Sequence, residues 1–254
     1  MSRILITGST QGVGFNAAGQ LLDEGHEVIL HARNTARAES FGALADRAAG
    51  VVTGDLSLMQ EVAALADQVN ALGPIDAIIH NAGILGGSAR KETAEGRLQV
   101  LAVNTLAPYL LSQRVAARRL IFTGSSMHYG HDGALNDIEW TTRRWASSQA
   151  YGESKMLVGA LSNALARRWP EVLCNTVDPG WVPTRMGGAS ASDPLDLAHR
   201  TQVWLATSDD VEAQVSGGYW HHMNTRSPDP KTTAPGFQDA LMDRLDALIG
   251  NCFG

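Results

Sequence analysis

The stretch Arg3-Ile4-Leu5-Ile6-Thr7-Gly8-Ser9-Thr10-Gln11-Gly12-Val13-Gly14 starts as a short apolar run and breaks into glycine, and residues 13–24 then carry apolar side chains at helical spacing until Gly25 stops them. Strand, loop and helix follow in that order. The glycines permit a tight turn, close approach of backbone to a pyrophosphate, and close packing of helix on strand. The helix start adds free N–H groups and the positive end of its dipole, so Gly8, Ser9, Thr10, Gln11, Gly12, Val13 and Gly14 read as a phosphate cradle. A glycine-rich turn can also be a plain tight connection, but its place at the first strand-to-helix junction favours the cradle.

Working outward, residues 27–32 (Glu-Val-Ile-Leu-His-Ala) form the next strand, and no carboxylate stands at its end to bind the ribose hydroxyls of NAD. Arg33 follows instead and can pair with the 2′-phosphate of NADP, or simply begin the next helix on the surface. The cofactor expectation is therefore NADP(H) preferred, with NAD(H) still admitted. Residues 51–53 make a third strand leading to Gly54-Asp55-Leu56, where Asp55 can accept from an adenine amino group, cap the helix beginning near Ser57, or do both. Residues 75–80 make a fourth strand that runs into Asn81-Ala82-Gly83, small residues against which a cofactor can lie. This alternation implies right-handed crossovers and a parallel sheet covered on both faces. The expected architecture is α/β: a Rossmann-type doubly wound parallel sheet in three α/β/α layers, one domain over residues 1–254.

Composition narrows the class. The chain has 254 residues, 44% hydrophobic and 18% charged, with net charge −6. No basic cluster exceeds the pairs Arg118-Arg119, Arg143-Arg144 and Arg167-Arg168, which argues against a nucleic-acid or acidic-membrane partner. Cys174 and Cys252 are too few and too far apart for a disulfide framework or zinc site, and His221-His222 are too close for the usual helical metal pair, so no metal is expected. No apolar run approaches membrane-spanning length, and the chain enters a strand at once. The expectation is a soluble, cytoplasmic protein acting on a small molecule.

Tyr151-Gly152-Glu153-Ser154-Lys155 places a phenol and an ammonium four residues apart, hence on one face of a helix. Ionising a free tyrosine at neutral pH costs about 4 kcal/mol. A lysine charge about 4 Å away supplies about the same in an effective dielectric of about 20. The pair is sized to make the tyrosine a proton donor and acceptor. Residues 172–177 form a sixth strand ending in Asp178-Pro179-Gly180-Trp181-Val182-Pro183-Thr184. Residues 186–194 are then either a lid or an exposed connection. Helical patterns follow at residues 195–206 and 239–249, the second of which serves an interface or covers the core. Met127, His128, Tyr129, Trp145, Trp181 and Met186 either line a partly aromatic pocket or pack in core and loops.

Gly8-x-x-x-Gly12-x-Gly14, Asn81-Ala82-Gly83, Asn104, Ser126 and Tyr151-x-x-x-Lys155, in this order, resemble the short-chain dehydrogenase/reductase superfamily, single-domain branch. The long segment between Ser126 and Tyr151, with Asn136-Asp137-Ile138-Glu139-Trp140, is similar to retinol-dehydrogenase-like and WW-domain-oxidoreductase-like members. The resemblance implies hydride transfer between NADP(H) and a carbonyl or secondary alcohol. Tyr151 would move the proton and Ser126 would hold the substrate oxygen, with Ser125 the nearest alternative. Lys155 would lower the tyrosine pKa and bind the nicotinamide ribose, while Asn104 would position a water in a proton relay. Asp55 and Leu56 would lie by the adenine, and the Pro179-Gly180 turn would bring Val182 and Thr184 to the nicotinamide carboxamide and nearby phosphate. His80 departs from the family, standing where many relatives have a second asparagine, as does Phe15 after the glycine loop. The connection from Asn104 to Ser126 is short, and its helix makes dimer contacts in many relatives, which leaves a homo-oligomer open. The competing reading is a catalytically idle NADP(H)-binding sensor or interaction protein.

Overall fold

The computed structural model describes residues 1–253, so the expected domain end at Gly254 lies outside the described residues. The strands are β1 (Arg3–Ile6), β2 (Glu27–Ala32), β3 (Gly50–Thr53), β4 (Ala77–His80), β5 (Arg119–Thr123), β6 (Leu173–Asp178), β7 (Tyr219–His221) and β8 (Asn224–Arg226). They form one sheet in the order β3-β2-β1-β4-β5-β6-β7-β8, parallel except for the final antiparallel pair. The helices are α1 (Gly12–Asp23), α2 (Thr35–Ala38), α3 (Ala43–Arg47), α4 (Met59–Ala71), α5 (Gln99–Leu101), α6 (Ala107–Arg114), α7 (Ser147–Arg168), α8 (Arg200–Thr207) and α9 (Pro235–Gly250).

The apolar run of β1 is explained by burial on both faces of the sheet. Leu5 points with Ile29 and Ile78 into a core closed by α4, α6, α7 and α9, whereas Ile4 and Ile6 point to the opposite face under α1 and α8. Alternate side chains of one strand thus feed two cores, as a sheet covered on both sides requires. Register is tight at the centre, where Ile4 lies beside Val28 on one side and Ala77 on the other.

Two local features depart from the sequence reading. The last strand at residues 219–221 is followed by a tight hairpin, with His222 and Met223 at φ 46° and 65°. Positive φ at both central residues fits a two-residue turn matching strand twist, but neither Gly nor Asn marks it. The helix after β4 is interrupted by a π-helical stretch over Ala102–Leu106, between α5 and α6, which contains Asn104. Such a bulge resets the helix face and often occurs at functional sites.

Candidate active site

Crossovers leave β1 and β4 in opposite directions, which opens a crevice beyond their C-terminal ends. A cleft of about 820 Å³ lies there, running from Arg33 and Arg37 past the glycine loop to Tyr151 and Trp181. Gly8 and Gly12 have φ 65° and 61°, the left-handed region that the turn needs. His31, buried in β2, pins this turn: its Nδ1 accepts from Gly8 N at 2.9 Å and its Nε2 donates to the Gly54 carbonyl at 2.9 Å. Asn81 closes the other side, its amide nitrogen 3.0 Å from the Thr7 carbonyl and 3.2 Å from that of Gly8.

Five of the seven residues expected in the cradle line the cleft: Gly8, Thr10, Gln11, Gly12 and Val13. Ser9 and Gly14 do not. Ser9 is buried and its hydroxyl accepts from His31 N at 3.0 Å, so it fastens the loop to β2. Gly14 makes room for Asn81, whose amide a Cβ would strike. Arg33 lines the cleft, and Arg37, which the sequence reading missed, joins it with Nη2 3.3 Å from Gln11 Oε1. Asp55 and Leu56 also line it, and Asp55 Oδ1 accepts from Ser57 N at 2.9 Å. The cap of α4 is supplied by Glu95 instead, which accepts from Met59 N at 2.6 Å and Gln60 N at 3.0 Å.

Asn81, Ala82 and Gly83 line the middle of the cleft, and Pro179, Gly180, Val182 and Thr184 its far wall. Tyr151 and Lys155 sit one turn apart on α7, both buried. Gly152 between them lets residues 127–131 approach, since a Cβ there would strike His131 and the Met127 carbonyl. Lys155 Nζ donates to the Thr123 carbonyl at 2.7 Å and lies 5.6 Å from the Tyr151 ring centre. Ser125 and Ser126 both line the cleft beside them, and Ser125 is the one whose side chain lowers the Tyr151 phenol. Ser125 is half-buried, whereas Ser126, the serine expected to hold the substrate oxygen, is exposed and opens a 3₁₀ turn.

Burial pushes the Tyr151 phenol up to about 12, against a lowering hydrogen bond from Ser125, and the Asp178 carboxylate adds to the rise. Burial lowers Lys155 to about 8, opposed by the same carboxylate. Desolvation is thus the leading cause of both shifts, raising the phenol and lowering the ammonium. Asp178, another residue not foreseen, is buried at the end of β6, where it accepts from Gly180 N at 2.9 Å and Tyr219 Oη at 3.2 Å.

The Asn104 side chain is engaged by the cleft wall. Its amide hydrogens go to the Ile84 carbonyl at 3.0 Å and Ser154 Oγ at 2.9 Å, and its Oδ1 accepts from Ile84 N at 2.8 Å. The side chain braces the cleft wall behind Gly83, where a Cβ would lie 3.4 Å from both Asn104 Oδ1 and Lys155 Nζ. Of the aromatic-pocket candidates, Met127, Trp181 and Met186 line the cleft, whereas His128, Tyr129 and Trp145 are spent on the Ser125, Ser227 and Gly87 carbonyls. Among the described residues no group of His, Cys, Asp or Glu stands together as a metal site would need, and no helix is long and apolar enough to cross a membrane.

A doubly wound sheet with a glycine turn at its switch point, and a buried tyrosine–lysine pair lining the same crevice, defines a dinucleotide-fold protein. Residues 2–194 match the family model described as short chain dehydrogenase, and the chain belongs to that family of oxidoreductases. It is 38% identical over 256 aligned positions to short-chain dehydrogenase chry4 of Gibberella zeae, covering 99% of this chain and 96% of that one. It is 40% identical to short-chain dehydrogenase chyC of Penicillium rubens over 98% of each. In fold it is similar to the NADPH-bound carbonyl reductase from chicken fatty liver, with TM-score 0.69, 22% identity, and 90% and 99% of the two chains covered.

Proposed function

We propose that the chain is an NADP(H)-dependent oxidoreductase that reduces a carbonyl to an alcohol, with Tyr151 as proton donor, Ser125 as the hydroxyl that orients the substrate oxygen, and Lys155 as their electrostatic support. The observation that supports the reading is that Tyr151 and Lys155, buried one turn apart on α7, line with Ser125 the same cleft as the glycine turn. The cleft suits a dinucleotide phosphate. Gly12 leaves only 3.2 Å between a would-be Cβ and Thr184 Cγ2, so backbone and ligand can meet closely there. Lys155 Nζ has three donors and spends one on Thr123, which leaves others for ribose hydroxyls. Arg33 and Arg37 stand where a 2′-phosphate would end, and the solved carbonyl reductase of like fold carries NADPH.

When bound, the cofactor supplies the hydride that reduces the carbonyl carbon. The chain supplies the rest: Ser125 and Tyr151 hold the carbonyl oxygen, and Tyr151 gives its proton as negative charge develops there. The ammonium of Lys155 stabilises the phenolate left behind. Asn104 keeps Ile84 and the adjoining Gly83 at their distance from that ammonium.

Oxidation of NADPH by a panel of ketones, aldehydes and quinones tests this. Tyr151→Phe is expected to lose about 10²- to 10⁴-fold in kcat/KM, with Ser125→Ala also well below wild type and Ser126→Ala near it. Replacing Arg33 and Arg37 together by alanine is expected to cut the NADPH-over-NADH preference by about 10- to 100-fold, the worth of one or two charge-assisted hydrogen bonds. No turnover of any carbonyl by the wild type would leave the sensor reading in its place.

A further inference from the structure

Four large apolar side chains that line the cleft are reached by solvent: Leu85, Met127, Trp181 and Met186, exposed by 38%, 41%, 54% and 42%. A cluster of exposed apolar groups continuous with a cavity marks a ligand surface more often than scattered singles do. Trp181 is the largest and the most exposed of the four, yet it is held from several directions. Its indole Nε1 donates to the Gly187 carbonyl at 2.9 Å. Its backbone nitrogen donates to Asp193 Oδ2 at 2.6 Å, and its carbonyl accepts from Asp193 N at 2.9 Å. The turn it rests on is closed by Gly187 N on Thr184 Oγ1 at 3.1 Å and Gly188 N on the Thr184 carbonyl at 2.9 Å. Gly187 is required there, because a Cβ would strike the Val182 carbonyl.

An indole tied by its only polar atom recognises a ligand by its ring face, not by a hydrogen bond. Because the ring is already fixed, little side-chain freedom is lost when something stacks on it. Met127 and Met186 add unbranched thioethers, which mould to the edge of an aromatic ring. We propose, resting on the reductase reading above, that the outer part of the cleft takes a flat, fused-ring aromatic ketone stacked on Trp181, its carbonyl directed inward to Ser125 and Tyr151. A small molecule is the occupant the geometry favours over a protein surface, since Trp181 and Tyr151 line the same cavity.

Two ketones of one skeleton test it, 2-acetonaphthone and its ring-saturated analogue 2-acetyldecalin, with NADPH and the full chain. Intrinsic reactivity cancels when each is compared between wild type and variant. Trp181→Ala is expected to lower kcat/KM for the flat ketone about 2- to 10-fold more than for the saturated one, the range of one aromatic pair, and Trp181→Phe to restore most of the difference. Quenching of tryptophan fluorescence by 2-acetonaphthone, in wild type against Trp181→Phe, reads binding without turnover. Turnover of both ketones with equal sensitivity to Trp181→Ala would overturn the platform and keep the reductase. Trp181-dependent quenching without turnover would keep the platform and sink the reductase reading for these ketones. Absence of Trp181-dependent quenching together with equal sensitivity defeats the proposal outright.

Discussion

His80, at the end of β4, shows how one buried side chain fixes its own chemistry. Ser112 spends its single hydroxyl proton on the Pro108 carbonyl at 2.8 Å, so its oxygen, 3.0 Å from His80 Nε2, must accept from it. The proton of the neutral ring is therefore on Nε2, and Nδ1 is left buried without a partner while the ring stacks on Phe122 at 4.7 Å. Burial lowers His80 from 6.5 to about 3. Below pH 6.5 the unfolded chain takes up a proton that the folded chain refuses, so stability is lost as pH falls from about 6.5 towards 3. The slope is about 1.4 kcal/mol per pH unit, or about 2 kcal/mol by pH 5. Urea unfolding at pH 7 and pH 5 is expected to show His80→Gln losing about 2 kcal/mol less than wild type over that interval. An identical loss in both proteins would remove His80 as the acid-sensitive group. At this scale the sequence was legible where backbone alone decides, as at Gly8 and Gly12, and illegible where side chains must choose a direction. Ser125 and Ser126 both follow the end of β5 and differ in that the second lies within the 3₁₀ turn the first caps, and Arg37 of α2 reaches the cleft through its contact with Gln11 of the glycine loop.

Among the elements, α7 depends on a segment whose purpose no local pattern reveals. Residues 136–140 were recognisable as an extension between the serine and the tyrosine, but their partners lie across the fold. Arg143 forms paired bonds to Glu153 at 2.7 and 2.9 Å, stacks over Trp140 at 3.9 Å, and reaches Asp137 at 3.2 Å. Trp140, held at φ 55°, donates its indole N–H to the same Glu153 at 3.0 Å. Burial alone would raise Asp137, but hydrogen bonds from Thr141 and Thr142 hold it well below the usual carboxylate range. Because Glu153 stands between Tyr151 and Lys155 in α7, this clamp sets the rotation of the helix that presents both. Arg143→Met leaves two largely buried carboxylates without their cation, a change expected to cost about 3 kcal/mol. In a chain of this size that is a fall in Tm of about 6–12 °C. Adding Glu153→Gln should cost less than the sum of the single changes, as calorimetry of the four proteins can show; strict additivity would mean the clamp does not act as a unit. The β7–β8 hairpin and the π-helical stretch at Asn104 were hidden for a related reason: His222-Met223 lacks turn residues, and a π-bulge keeps the composition of an ordinary helix.

Across the whole molecule, a parallel sheet covered on both faces followed from the alternation of strand and helix patterns, but the weight carried by α9 did not. Its sequence pattern was amphipathic and left open whether it served an interface or the core. The structure makes it part of the core: Leu241, Met242, Leu245, Leu248 and Ile249 are buried in the cluster that also contains Leu157, Leu161 and Leu165 of α7. Polar contacts fix its position, with Asp239 bound by Arg167 and Arg168 and Asp246 by the Tyr109 hydroxyl at 2.6 Å. Burying five such side chains contributes about 8–15 kcal/mol, which matches the entire net stability of an ordinary domain, about 5–15 kcal/mol. A chain ending at residue 234 should therefore fail to fold, not merely lose an appendage. The expected outcome is loss of the cooperative thermal transition, loss of near-ultraviolet circular dichroism, and binding of a hydrophobic dye to the exposed face of α7. A truncated chain that still melts in one sharp step, within a few degrees of the full chain, would show that α7 and its tyrosine–lysine pair are held by the sheet alone.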